Sequence, residues 1–254
     1  MPPDPGQIID SFLCFIAVPA RGADKFKQLD ASQRQASIYN QFEPGGRNVE
    51  LRKTKQFCTP VYVGNGDVDI IDPSSHLTCY SSRPKPTGKF QVMTTDGFGD
   101  LYHNVNKRPT QLCVASQVLV DATPTPTAVP TALPVSPSAA SRSSMSLDDF
   151  ELRRVTKTPG TPKFDKIQVR VRDDNGYDEF MTVKRARELG IPSNENGEGS
   201  IGYPTAHLVC YGIIPPRFPK TNIEVWNRTG QWELMERRPH RLCMPSTKIL
   251  LGGN

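Results

Sequence analysis

Hydrophobic and polar positions alternate with a period of two on either side of short glycine-containing turns. Ile167-Gln168-Val169-Arg170-Val171 alternates strictly and then meets Asp174-Asn175-Gly176. Ile223-Glu224-Val225-Trp226 leads through Arg228-Thr229-Gly230 to Trp232-Glu233-Leu234-Met235. Phe90-Gln91-Val92-Met93 runs into Thr95-Asp96-Gly97, with Leu101-Tyr102-His103-Asn104-Val105 beyond it. Near the N-terminus, Pro44-Gly45-Gly46 precedes Val49-Glu50-Leu51. Successive strand side chains point to opposite faces, and glycine tolerates the positive φ of a tight turn. Each stretch therefore predicts a β-hairpin. Helix signals are scarce; only Thr182–Leu189 predicts a short helical turn.

The hairpins sit inside a longer repeat. His76-Leu77-Thr78-Cys79-Tyr80 matches His207-Leu208-Val209-Cys210-Tyr211, and Arg108-Pro109-Thr110-Gln111-Leu112-Cys113-Val114 matches Arg238-Pro239-His240-Arg241-Leu242-Cys243-Met244. The two cysteine spacings are nearly equal. A looser copy runs from Phe12-Leu13-Cys14-Phe15 to Phe57-Cys58-Thr59-Pro60, and carries an insertion. A further copy lies between residues 146 and 193, where Phe150 stands at the first cysteine position and Gly190 at the second. Both cysteines of that copy are missing together, as paired cysteines require. Of the fifteen possible connectivities of six cysteines, the repeat selects Cys14–Cys58, Cys79–Cys113 and Cys210–Cys243. In the chain-entropy picture each such bridge contributes roughly 3–4 kcal/mol, a large share of what a small module can muster. The other reading is free, buried cysteines in a cytosolic protein.

Each module is thus expected to hold about four short strands, with its outer two stapled by a disulfide. The predicted class is all-β: four hairpin-centred modules paired into two small sandwich- or barrel-like domains. The connections Cys58–Cys79 and Gly190–Cys210 are similar in length and end alike, at Asp72-Pro73-Ser74-Ser75-His76 and Tyr203-Pro204-Thr205-Ala206-His207. This places one domain at residues 8–120 and the other at 146–250. Residues 121–145 between them are rich in Pro, Thr, Ala and Ser, a composition of extended linkers. Such tracts are commonest in secreted multidomain proteins, which points outward independently of the cysteines.

The string His-Leu-x-Cys-Tyr, a Phe-Gly hairpin (Phe98-Gly99) and Pro-x-x-Leu-Cys followed by Val or Met resembles a repeat of uncharacterised secreted bacterial proteins. It is carried by His76–Tyr80 and Pro109–Val114, and by His207–Tyr211 and Pro239–Ser246. The resemblance implies an exported β-module and supplies no catalytic residue.

Composition narrows the function. The chain has 254 residues, 24 of them proline, and a formal net charge of +5. Proline is near twice its roughly 5% share in ordinary proteins, so turns and an extended segment are expected. The positive excess is mild and spread out. A run such as Lys184–Arg187 reads as a solvated strand or helix end rather than a nucleic-acid site. No segment is long and apolar enough to span a membrane. Phe12–Ala20 is preceded by Asp4 and Asp10 rather than by basic residues, so it reads as a strand and not as a signal-peptide core. The exported reading therefore takes the sequence as a mature form; the other reading is that the chain is not exported.

Candidate chemistry is thin. His76 and His207 each stand three residues before a cysteine and could ligate zinc or copper, but the cysteines already have partners. Gly64–Asp69 and Asp173–Asp178 cluster carboxylates that could hold calcium weakly, and hairpin tips favour the same residues. Trp226 and Trp232, with Tyr102 equivalent to Trp232, form a candidate binding surface; aromatics on a β-face either stack on sugars or fill the core. Asn227-Arg228-Thr229 fits a glycosylation sequon. The function expected is a non-catalytic structural or interaction protein, a subunit decorating a cell surface, filament or larger extracellular complex. It needs no cofactor and no metal. Its partners are other protein subunits and not nucleic acid, and its location is extracellular, cell-surface or periplasmic. The alternative is a lectin-like carbohydrate-binding module using exposed aromatics.

Overall fold

A computed structural model describes residues 9–24, 34–64, 70–82, 84, 86, 88–119, 147–197 and 200–252. The predicted linker, residues 121–145, lies outside them. The protein is all-β, with every ladder antiparallel. Its strands are β1 (Ser11–Pro19), β2 (Gln35–Asn40), β3 (Glu43–Val63), β4 (His76–Ser82), β5 (Phe90–Asp96) and β6 (Gly99–Val118). The second half contributes β7 (Asp149–Lys157), β8 (Ile167–Arg172), β9 (Asp178–Glu195), β10 (His207–Ile214), β11 (Thr221–Asn227) and β12 (Gly230–Gly252).

Ladders join β1 to β3, β3 to β4, β4 to β6, β6 to β7, β7 to β9, β9 to β10, β10 to β12 and β12 back to β1. Eight strands therefore close into a barrel, which leaves those strands no edge. The halves expected as separate domains, 8–120 and 146–250, are not separated in the sheet. The β6–β7 and β12–β1 ladders stitch them together, because two strands at each boundary still carry unpaired backbone groups that a neighbouring half can satisfy.

Registers stack the barrel interior in tiers. One tier pairs Phe12 with Pro60, Leu77 with Ala115, Phe150 with Pro192 and Leu208 with Pro245. The next pairs Cys14 with Cys58, Cys79 with Cys113, Leu152 with Gly190 and Cys210 with Cys243. All three cysteine pairs are disulfides, as the repeat predicts, with Cα–Cα distances of 3.9, 3.8 and 3.9 Å. In the copy without cysteines, the first position is Leu152 and not Phe150, which lies one tier lower, opposite Pro192. A Cβ on Gly190 would stand 3.0 Å from the Leu208 Cβ and 3.3 Å from the Leu152 Cδ2. The leucine side chain thus fills the space a disulfide takes elsewhere, and glycine leaves room for it.

Each long strand, β3, β6, β9 and β12, continues from the hairpin into the barrel rather than breaking into two short strands. Register shifts accommodate the change of direction, for example between Leu51 and Gln56 on β3 and between Val105 and Gln111 on β6. Thr182–Leu189, expected to form a short helical turn, lies within β9, where ladders to β8, β7 and β10 outweigh its helical propensity. The first hairpin turns at Gln41-Phe42, with Asn40 opposite Glu43, and not at Pro44–Gly46. Gly46 lies inside β3 with φ +75°, and a Cβ there would come within 2.5 Å of the Tyr39 ring.

The first arm of each hairpin docks two segments further on around the barrel. β2 pairs with β9, β5 with β12, β8 with β3 and β11 with β6. Each of these arms has a ladder on both sides, so its edge is covered. Beneath them lie the outward barrel residues, among them Leu13, Phe15, Leu189, Ile191, Tyr211 and Leu242 in one cluster and Phe57, Tyr80, Leu112 and Val114 in another. Arg153 occupies the position of Phe15, Tyr80 and Tyr211, one residue past the first tier position, and is fully buried. Its guanidinium meets Glu151 at 2.6 Å and Glu43 at 2.8 Å; Arg47 bonds both carboxylates, closing a neutral ring of four charges. That ring ties the tip of the first hairpin to β7.

Candidate functional site: a basic groove at one end of the barrel

The residues singled out by the sequence disperse. Trp232 is 7% exposed and packs in the core beside Leu234 and Val225, its indole N–H donating to Thr229 Oγ1 at 3.1 Å. It is therefore not a binding surface; strand alternation turns it inward, while Trp226 on β11 is half-buried and stands opposite Gln231. Tyr102, half-buried on β6, is the member of the trio that lines a groove. The sequon asparagine, Asn227, is 1% exposed; its amide donates to Tyr80 Oη and Ser116 Oγ, and its carbonyl caps Thr229. It is a structural link and not an exposed glycan acceptor.

The histidines are packed as neutral groups. His76 stacks on Phe57 with ring centroids 5.2 Å apart, and burial pulls its pKa down to about 4. Burial does the same to His103, which bonds Thr94, and to His240, whose Nδ1 lies 3.1 Å from the Cys14 carbonyl. His207 falls to about 3, through burial and then the nearby Lys248. Among the described residues no three His, Cys, Asp or Glu side chains converge as a metal site. At the hairpin tip, Asp173 Oδ1 accepts the Asn175 and Tyr177 amides, a turn-forming role. Residues 65–69 of the other acidic cluster lie outside the described residues.

What the structure does assemble is a cationic mouth. Above the disulfide tier, Ile16 pairs with Gln56, Ser81 with Gln111, Arg154 with Glu188 and Gly212 with Arg241. Gln56 donates to Gln111 at 3.1 Å, Gln111 to Glu188 at 3.4 Å, and Arg241 to Glu188 at 3.3 Å. This polar chain closes one end of the barrel. Just before it on the four long strands stand exposed cations: Lys53 and Lys55, Lys107 and Arg108, Arg185 and Arg187, Arg237 and Arg238. The opposite end is acidic instead. There Asp10 accepts the Ile71 and Asp72 amides, Asp148 accepts the Gly202 and Tyr203 amides, and Asp149 and Glu195 bind Arg228.

On the β7–β9 side the mouth deepens into a groove of about 780 Å³. Arg154, Lys157, Lys163, Arg185, Arg187 and Arg241 line it, with Glu188 as its one acid, and Tyr102 and Phe164 form its apolar wall. Glu188 is occupied by Arg241 and Gln111. Among the described residues no carboxylate lies within ion-pair distance of Arg154, Lys163, Arg185 or Arg187. The sequence held the signal for this site, the Lys184–Arg187 run, but only the barrel brings β7 and β9 cations face to face. No protein family, no characterised protein and no solved structure matches this chain.

Proposed function

We propose that the chain is an exported, non-catalytic interaction protein: a rigid subunit that decorates a cell surface, filament or larger extracellular complex. One observation carries this reading. The three disulfides are the central tier of the barrel, with Cys14 and Cys243 sulfurs 3.7 Å apart across neighbouring bridges, so the core itself is built from oxidised sulfur. Such a core suits an oxidising compartment outside the cytosol. The tiers fill the interior with side chains, which leaves recognition to the outer surface. All four histidines serve packing or hydrogen-bonding roles with pKa values far below neutrality, a poor state for acid–base work near pH 7. Carbohydrate recognition through Trp226 and Trp232 is weakened by the burial of Trp232.

The test is made in the source cells. Thiols are blocked during lysis, the cell is fractionated, and surface cross-linking is followed by mass. The expected result is six oxidised cysteines outside the cytoplasm, in a species heavier than the 28.2 kDa chain. Free thiols in a cytosolic monomer overturn the proposal.

A further inference from the structure

We propose that the groove lined by Arg154, Lys157, Lys163, Arg185, Arg187 and Arg241 binds an anionic polysaccharide, a sugar polymer carrying carboxylate, sulfate or phosphate groups. The inference rests on the exported reading, because that is where such polymers are met.

The charge arrangement points to an anion. Like charges brought together cost free energy unless something neutralises them. Arg187 shows the cost: desolvation and then the positive fields of Arg185 and Arg241 pull its pKa down. Glu188, shared with Arg241 and Gln111, offsets this only in part, and the net shift of Arg187 stays downward. The cations also have an extended layout. Arg185 and Arg187 are two residues apart on one strand, about 6.6 Å along it. Exposed Lys107 and Arg108 continue the positive surface on one side, and Arg237 and Arg238 on the other. A single small anion would use a fraction of this; a polymer can follow it.

The walls favour sugar over nucleic acid. Nucleic-acid strands bind by stacking bases on open aromatic faces. Phe164 is already packed against Tyr211 and Phe98, with centroids 5.2 and 6.2 Å away. Tyr102 is half-buried in its ladder. Alongside the cations stand neutral hydrogen-bonding groups, Asn106 and Thr156, suited to hydroxyls. Guanidinium groups supply the planar double donors that carboxylate, sulfate and phosphate accept.

The experiment uses the purified, oxidised full chain. Calorimetry measures binding to polygalacturonate, heparin and a phosphate-bearing glycan polymer, with dextran, a single-stranded oligonucleotide and polyglutamate in parallel. The acidic polysaccharides are expected to bind, more weakly as salt rises, and dextran is not. Which of the three binds tightest identifies the anionic group. Arg185→Gln and Arg187→Gln should each raise Kd about tenfold, the effect of one charge-assisted hydrogen bond. Arg217→Gln, exposed and outside the groove, should not change it, and unchanged melting temperatures show that the variants fold. The proposal is overturned if no acidic polysaccharide binds at low salt, or if groove variants bind like Arg217→Gln. It is equally overturned if the oligonucleotide or polyglutamate binds more tightly than every polysaccharide. A protein found exported and assembled that ignores these polymers loses only the groove assignment. Free thiols in cells remove the exported reading, whatever the groove binds.

Discussion

Leu152 and Gly190 occupy the place of a fourth disulfide, and their geometry says how it could be restored. Replacing Gly190 alone crowds Leu208 and Leu152; replacing Leu152 alone opens a void. Leu152→Cys/Gly190→Cys removes both faults, because the residues are already registered like the three native pairs. The double variant should oxidise to a fourth bridge and gain about 2–4 kcal/mol, while each single variant is destabilised. Denaturant unfolding in a double-mutant cycle, with a thiol count, checks this; additive losses would sink it. The sequence points to the right pair of strands but places the first position at Phe150, two residues before Leu152, which is the residue registered with Gly190. Only the ladder register separates two inward residues that lie two apart. A second residue-scale effect concerns Glu236, which burial raises to about 7 from 4.5. The folded state then holds a proton that the unfolded state has released. Stability supplied by this group is complete below pH 4.5 and is lost as pH rises to 7, up to about 3 kcal/mol. Glu236→Gln should therefore grow more stable relative to the parent across that window and level off above it. A gap that stays constant with pH would refute the assignment.

At the scale of elements, the hairpin arms matter because each is clamped between two strands. β5 has β6 on one side and the last stretch of β12, Thr247 to Gly252, on the other. That stretch buries little: Ile249 is 56% exposed and Leu250 52%. Besides setting the Lys248 ammonium over the Phe42 ring at 4.0 Å, it covers backbone groups on β5. Deleting residues 247–254 should leave the barrel folded. Amides of β5 that face β12, every second one, should exchange faster with solvent, and the chain should self-associate through the opened edge. Hydrogen exchange and light scattering read both effects; unchanged β5 protection would contradict the clamp. The hairpins themselves were legible, because period-two alternation around Gly176 and Gly230 is a local signal. The first turn was not. Pro44-Gly45-Gly46 carries the composition of a turn, yet Gly46 is required beside the Tyr39 ring, and the chain reverses two residues before Pro44. The helix expected at Thr182–Leu189 failed for a related reason, since propensity is weak against ladders on both sides.

For the whole molecule, the decisive contacts are those between segments far apart in sequence. Similar cysteine spacings identify equivalent positions, but nothing local in β6 or β12 says that they pair with β7 and β1. The same holds for the cationic mouth, which needs Arg154 of β7, Arg185 of β9 and Arg241 of β12 on one rim. The neutral ring of Arg47, Glu43, Arg153 and Glu151 also crosses between halves. Splitting the chain within residues 121–145 tests whether the halves depend on one another. If each half were its own domain, residues 9–119 and 147–252 would fold alone. With shared β6–β7 and β1–β12 ladders, each half instead exposes two raw barrel edges, and Arg153 is left buried without Glu43. Glu151 stays with Arg153, but the pair loses Glu43 and Arg47, half of its ring of charges. Each half, expressed alone under oxidising conditions, should give poorly dispersed amide spectra. Mixing the two should restore a single cooperative transition, as fragment complementation requires. Two halves that each melt cooperatively, and do not bind one another, would show that the ring of ladders is not what holds the molecule together.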